Sequence, residues 1–232
     1  MSIALLNHGV TRIAVVDDNP DERALKSRQL KRIGLDPRPI DGPYDKTEDL
    51  VDEILKVSQA AICDNRLQTG GYGFYGAEAV ASLYDRAFPA VLITQYYDQD
   101  SDFSIRERRR KIPVILKKDE AQPERIAEAI NICIREHSHY VLPARRACRT
   151  LLRVVKIERE SNQDLVDVLV LSWDWEKVVR FPVSLLPGPC AEKLAVGQRY
   201  IARVNTGAEE ASDLFFEDFE VAPDPVPEEL LG

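Results

Sequence analysis

The sequence predicts two domains: a doubly wound α/β unit with a five-stranded parallel sheet over residues 1–140, and a small all-β barrel or sandwich over 146–222. Up to about residue 140, short and continuously apolar runs alternate with amphipathic stretches. That is the pattern of parallel strands covered by helices on both faces. Beyond it, strand-like runs succeed one another with no helical span between them. Residues 223–232 are proline-rich and acidic, and form a separate tail.

The strands of the first unit are "RIAVV" (12–16), "DPRPI" (36–40), "AAIC" (60–63), "AVLIT" (90–94) and "IPVILK" (112–117). Between them, Leu50, Val51, Ile54 and Leu55 fall on one helical face, as do Val80, Leu83, Tyr84 and Ala87. The most regular face is Ile126, Ile130, Cys133, Ile134 and His137. "DNPDER" opens a helix, with Asn19 as cap, Pro20 in the first turn and acids near the positive end of the dipole. "RERRRK" (106–111) reads as a solvated helix face, with partner contact as the alternative.

The second unit offers "RTLLRVVKIERE", "DLVDVLVLSW", "EKVVRFPVSLL", "RYIARVN" and "LFFEDFEV" as strands. Val179, Phe181 and Val183 alternate with Arg180 and Pro182, and the proline suggests an edge or a bulge. "LLPGPC" reads as a turn. Trp173 and Trp175 share a strand parity; one is expected in the core, and an exposed pair would form a binding surface. In the first unit, Tyr72, Phe74 and Tyr75 are expected to cover the sheet edge.

Composition narrows the class. The chain has 232 residues, 44% hydrophobic and 30% charged, with no apolar run long enough for a membrane helix. "MSIALLNHGVTR" lacks the basic lead of a signal peptide, so a cytoplasmic location is expected. Four cysteines lie far apart with no C-x-x-C pair, which argues against a zinc ribbon or a disulfide framework. Net charge is −8, unevenly spread: −3 over 1–144, +4 over 145–206 and −9 over 207–232. The acidic end weighs against DNA binding, and the β unit has no helix-turn-helix pattern.

In an open parallel sheet, ligands sit beyond the carboxyl ends of the strands. Asp17 and Asp18 end the first strand, Asp64 the third, Thr94 the fourth and Lys117 the fifth. Three carboxylates brought together call for a cation, and oxygen donors suit a hard divalent ion such as Mg²⁺. A hydroxyl and an ammonium suit the oxygens of a phosphoryl group.

This set resembles the receiver domain of two-component response regulators, a flavodoxin-like fold. The matching residues are the acidic pair Asp17 and Asp18, Asp64, Thr94 and Lys117, with intervals of 46 residues from Asp18 to Asp64, 30 to Thr94, and 53 from Asp64 to Lys117. "GAEAV" also resembles the family's G-x-E segment at its third helix. The resemblance covers roughly residues 12–137. It implies that Asp64 accepts a phosphoryl group from a histidine kinase or phosphotransfer protein. Asp17, Asp18, Asp64 and the backbone carbonyl of Arg66 would hold Mg²⁺, and Thr94 and Lys117 would hold the phosphoryl oxygens. On this reading the protein is a phosphoacceptor with at most autophosphatase activity, not an enzyme with turnover, and its β domain signals to a protein partner.

The chain departs from the family at several points. Lys118 follows Lys117 where the family has proline, Val114 stands at the aromatic switch position, and Gln95 replaces a small residue after Thr94. The loop "NRLQTGGYGFYG" is four residues longer than usual and lacks G-K-[ST], so it is not a nucleotide P-loop. These departures support an alternative: a receiver fold serving as a phosphorylation-independent adaptor. A D-x-D phosphatase is disfavoured, because "VVDDNP" lacks that spacing. The resemblance also leaves room for a homodimer.

Overall fold

The computed structural model describes residues 9–97, 104–159 and 164–223. It divides into two compact units, 1–142 and 143–232. The boundary falls between residues 140 and 146, where the sequence changes pattern.

The first unit is built on strands β1 (Arg12–Val16), β2 (Asp36–Pro39), β3 (Ala60–Asp64), β4 (Ala90–Thr94) and β5 (Ile115–Lys117). All neighbours are parallel, in the order β2-β1-β3-β4-β5. That flavodoxin-like order reverses direction between β1 and β3, and the reversal opens a crevice at the carboxyl ends of those strands. Helices α1 (Pro20–Arg32), α2 (Thr47–Val57), α3 (Gly76–Asp85) and α4 (Pro123–His137) cover both faces. α1 begins as its sequence dictates: the Asn19 side chain accepts from the N–H groups of Asp21 and Glu22, and Pro20 needs no donor there.

Every residue of β3 and β4 is buried, as a two-sided cover requires. The faces hold separate cores. One packs Ala14, Val16, Ala61, Cys63 and Leu92 against α2 and α3. The other packs Ile13, Val15, Ile62, Ile93 and Leu116 against α4 residues such as Ile126 and Ile130. Tyr72 and Phe74 join the first core rather than covering the sheet edge.

"RERRRK" is a 3₁₀ helix, Arg106–Lys111, and not a solvated face. Arg106 and Arg109 are buried, and the Arg109 guanidinium donates to the Ile112 carbonyl. Arg110 donates to the Tyr84 hydroxyl (3.0 Å) and lies 3.7 Å from Glu136 of α4, and Lys111 pairs with Asp85 of α3 (2.6 Å), so two helices offset part of the run's charge.

The second unit is one antiparallel sheet of β6 (Cys148–Glu158), β7 (Leu165–Val170), β8 (Asp174–Pro182), β9 (Arg199–Val204) and β10 (Phe216–Val221), in the order β10-β9-β6-β7-β8. The sheet curls. Phe181 of the edge strand β8 reaches Phe216 and Phe219 of the opposite edge, at centroid distances of 4.9 and 5.8 Å. This partly closed barrel encloses Leu152, Val168, Phe181, Tyr200 and Val204. "PGPC" adds a single helical turn, α5 (Gly188–Ala191), where a plain turn was expected. Trp173 is the packed tryptophan, its indole donating to the Ala208 carbonyl at 2.7 Å, whereas Trp175 is 67% exposed.

Candidate functional site

The strand ends of the first unit bring charge into the crevice. Asp17, Asp64 and Thr94 are all buried there. A cleft of about 250 Å³ is lined by Asp18, Asp64, Arg66, Thr94, Tyr96 and Lys118, among others.

The lysine in this cleft is Lys118, not Lys117. Its ammonium lies 2.8 Å from Asp64 Oδ1 and 3.5 Å from Asp17 Oδ2. The pleat explains the choice. Side chains one residue apart point to opposite faces. Ile13 and Val15 precede Asp17 on one face, Ala60 and Ile62 precede Asp64, and Leu116 precedes Lys118. The Lys118 N–H also bonds to the Thr94 carbonyl (3.1 Å), continuing the β4–β5 ladder one residue beyond Lys117. Lys117 is turned the other way, exposed, with its ammonium over the Tyr97 ring. From Lys118 the residue three before is Ile115, so that position is still not aromatic.

The remaining hydrogen bonds fix the carboxylates. Asp17 Oδ1 accepts from the Asn19 N–H at 2.9 Å, and Asp64 Oδ2 from the Arg66 N–H at 2.8 Å. Thr94 Oγ1 accepts from the Tyr96 N–H at 3.1 Å. Asp18 lines the same cleft and has a partner of its own. The Thr69 hydroxyl contacts its carboxylate and also lies 3.1 Å from the Arg66 carbonyl. Thr69 sits in the long loop after β3, which approaches Asp18 so closely that a Cβ on Gly70 would overlap the Asp18 side chain. Gly76 has the same role under Asp64: a Cβ there would collide with the Asp64 carbonyl, so only glycine lets α3 start at that point. The Arg66 guanidinium stacks on Tyr96, 3.8 Å from the ring centroid, at the rim of the cleft.

Burial dominates the protonation of this set. It pushes Asp17 up to about 6, with the Asp64 charge adding to the rise and the Asn19 bond and Lys118 opposing it. It likewise raises Asp64, against the opposing Lys118 ammonium. Burial pulls Lys118 down, but its bond to Asp64 and the charges of Asp64 and Asp17 outweigh that, and its ammonium is held more tightly than usual.

Among the described residues, no three acidic, histidine or cysteine side chains stand close enough together to hold a metal ion. Asp17 and Asp64 share the Lys118 ammonium, and Asp18 faces Thr69. The donor types still suit a hard cation: carboxylates of Asp18 and Asp64 on one cleft, with the Arg66 carbonyl tied to Asp18 through one hydroxyl.

Of the expected residues, Asp17, Asp64 and Thr94 lie at the carboxyl edge of the sheet, Asp18 and Arg66 line the cleft, and Lys117 lies outside it. Sequence reasoning missed Lys118, although strand parity could have identified it. It also missed Thr69, which reaches Asp18 only because of the loop's tertiary path.

No family model matches the chain, and no curated protein matches it. Solved structures are similar to about half of the chain at low identity. A response regulator receiver domain protein from Clostridium thermocellum is 15% identical, with a TM-score of 0.44, over 56% of this chain and 98% of that one. The N-terminal domain of a response regulator/sensory box/GGDEF three-domain protein from Carboxydothermus hydrogenoformans is 15% identical, with a TM-score of 0.43, over 57% and 100%. A DNA-binding response regulator of the LuxR family from Staphylococcus aureus is 16% identical, with a TM-score of 0.42, over 54% and 99%. At these values the fold class rests on the strand order, and the site rests on its own geometry. Fold and site together define a doubly wound α/β unit with an acid–lysine cleft at its switch point, followed by a curled antiparallel sheet.

Proposed function

We propose that this protein is a two-component response regulator whose Asp64 accepts a phosphoryl group from a histidine kinase or phosphotransfer protein. The observation that supports it is the convergence of Asp64, Asp17 and Lys118 at the carboxyl edge of the sheet, with Lys118 2.8 Å from Asp64 and 3.5 Å from Asp17.

In the transfer, a carboxylate oxygen of Asp64 attacks phosphorus and the bond from phosphorus to the donor's imidazole nitrogen breaks, leaving a neutral imidazole once that nitrogen is protonated. The protein's contribution is positioning and charge. Lys118 takes the role assigned from the sequence to Lys117, facing the phosphoryl oxygens; before transfer it opposes the rise that burial imposes on Asp64. Thr94 supplies a hydroxyl on the same edge. Asp17, Asp18, Asp64 and the Arg66 carbonyl would hold Mg²⁺, with Asp18 leaving Thr69 to do so. When bound, the ion supplies charge neutralisation for the incoming phosphoryl group. The β unit would pass the signal to a protein partner.

The test is incubation with Mg²⁺ and a small acyl-phosphate donor, read by intact mass. One added phosphoryl group, absent in Asp64→Asn and in Lys118→Met but kept in Lys117→Met, is the expected result. No adduct from this donor or from a cognate kinase, in a folded protein, rejects the proposal.

One observation favours a second reading, a phosphorylation-independent adaptor. The acids are already satisfied, by Lys118 and Thr69, without an added cation. On that reading Mg²⁺ leaves the protein's thermal midpoint unchanged and no adduct forms.

A further inference from the structure

The outer face of the second sheet carries an arrangement that its own stability does not explain. Thr150, Leu152 and Val154 of β6 and Tyr200, Ala202 and Val204 of β9 point into the core, so Arg149, Leu151 and Arg153 face out beside Arg203, Ile201 and Arg199. The register sets Arg149 opposite Arg203 and Arg153 opposite Arg199. Like charges directly opposite on a sheet are destabilising. The first pair has counter-charges on the neighbouring strand: Arg149 meets Glu220 at 2.7 Å and Arg203 meets Glu217 at 3.8 Å. The second pair has none of that kind. Arg199 donates to the Pro223 carbonyl at 2.7 Å, and the Arg153 side chain makes no ion pair among the described residues.

The row continues into apolar ground. Arg199 pairs with Arg153, Arg153 with Leu169, and Leu169 with Val178, which is 49% exposed. Two arginines are thus followed, across four strands, by two aliphatic side chains. The chain leaves β10 beside the arginine end of this row, where the Ala222 N–H bonds to the Arg199 carbonyl at 3.0 Å. The residues that follow are Asp224, Glu228 and Glu229, with no basic residue among them, and then Leu230 and Leu231. Acids followed by leucines match arginines followed by aliphatics, in the same order. Nine residues can reach about 30 Å, and crossing three strand gaps needs about 14 Å.

We propose that residues 224–232 dock across this face, their carboxylates on Arg199 and Arg153 and their leucines on Leu169 and Val178. Nucleic acid fits less well: the row has no aromatic ring for a base to stack on, and Glu217 and Glu220 flank it.

The test uses the protein ending at Pro223 and a fluorescein-labelled peptide of residues 224–232, followed by anisotropy. Saturable, salt-sensitive binding is expected, weakened at least tenfold by Arg153→Glu with Arg199→Glu. The neutral pair Arg153→Gln with Arg199→Gln should fall between and guards against misfolding of the reversed pair, which tryptophan-monitored unfolding checks. A peptide carrying Asp224→Lys, Glu228→Lys and Glu229→Lys should restore binding to the reversed protein. The full-length chain, its face already occupied, should bind the peptide at least tenfold more weakly than the truncated one. Four results overturn the proposal: no saturable binding, binding indifferent to both arginine pairs, equal binding by full-length and truncated chains, or tighter binding of a labelled oligothymidine than of the peptide.

Discussion

The two sheets handle charge in opposite ways. The parallel sheet is covered on both faces, and charge collects at its carboxyl edge, where opposite signs are paired: the buried Asp17 and Asp64 with the half-buried Lys118. The antiparallel sheet curls around one core and leaves its other face open, and there like signs stand side by side in water: Arg149 with Arg203, Arg153 with Arg199. A buried edge must be neutralised from within the chain. An open face can carry unbalanced charge at a small cost and wait for a complement. The first arrangement suits chemistry at a fixed point, and the second suits recognition.

Disrupting each core should have the largest effect. Phe181→Ala removes the ring that joins the two edges of the second sheet and should cost that unit roughly 3–5 kcal/mol. Both tryptophans lie in the second unit, so denaturation followed by fluorescence reports on it alone. A shift in far-UV circular dichroism of the first unit's transition as large as that seen by fluorescence would mean the units unfold as one.

The charged edge comes next. Lys118→Met strands two buried carboxylates and should cost about 2 kcal/mol at pH 7. Lys117→Met should stay within about 0.5 kcal/mol, as an exposed substitution does. Equal effects from the two would refute the parity argument.

Asp17→Asn should act in the other direction. Asp17 titrates near 6 when folded, above the ordinary 3.8, so the folded state holds its proton more tightly than the unfolded one. Its cost therefore grows as pH rises from about 4 through 6 and is complete at 7. Removing the charge while Lys118 keeps Asp64 should raise stability at pH 7 by on the order of 1 kcal/mol, allowing for solvent screening. That gain should fade below pH 4. A gain that persists unchanged at pH 4 would exclude Asp17 as its source.

Among the changes expected to register, the smallest is Thr69→Val, which keeps the shape of the side chain and removes the hydroxyl on Asp18. It should cost about 0.5 kcal/mol, the low end for one exposed hydrogen bond, and lower the midpoint by about a degree or two. No change in midpoint would show that the loop is held by Gly70 and its packing alone.

Much of this architecture was legible in the residues. Continuous apolar runs and period-2 alternation identified the ten described strands, helical spacing the helices at 47, 76 and 123, and the capping sequence the helix at 20. Strand ends named Asp17, Asp64 and Thr94 because the carboxyl edge is a property of parallel topology, not of particular neighbours. "RERRRK" misled because charge alone says nothing about burial: Arg106 and Arg109 are buried in a 3₁₀ turn, while Arg110 and Lys111 find Tyr84 and Asp85 on another helix.

Alone, the sequence predicted the fold class, a division between residues 140 and 146 and the edge at which the acids gather, since each follows from local periodicity and connectivity. Tertiary structure decided which of two adjacent lysines faces Asp64. It also decided that Asp18 turns to Thr69 and that four arginines pair across β6 and β9. These depend on pleat, on loop path and on the register between strands far apart in the chain, where one residue's shift reverses the face on which a side chain lies.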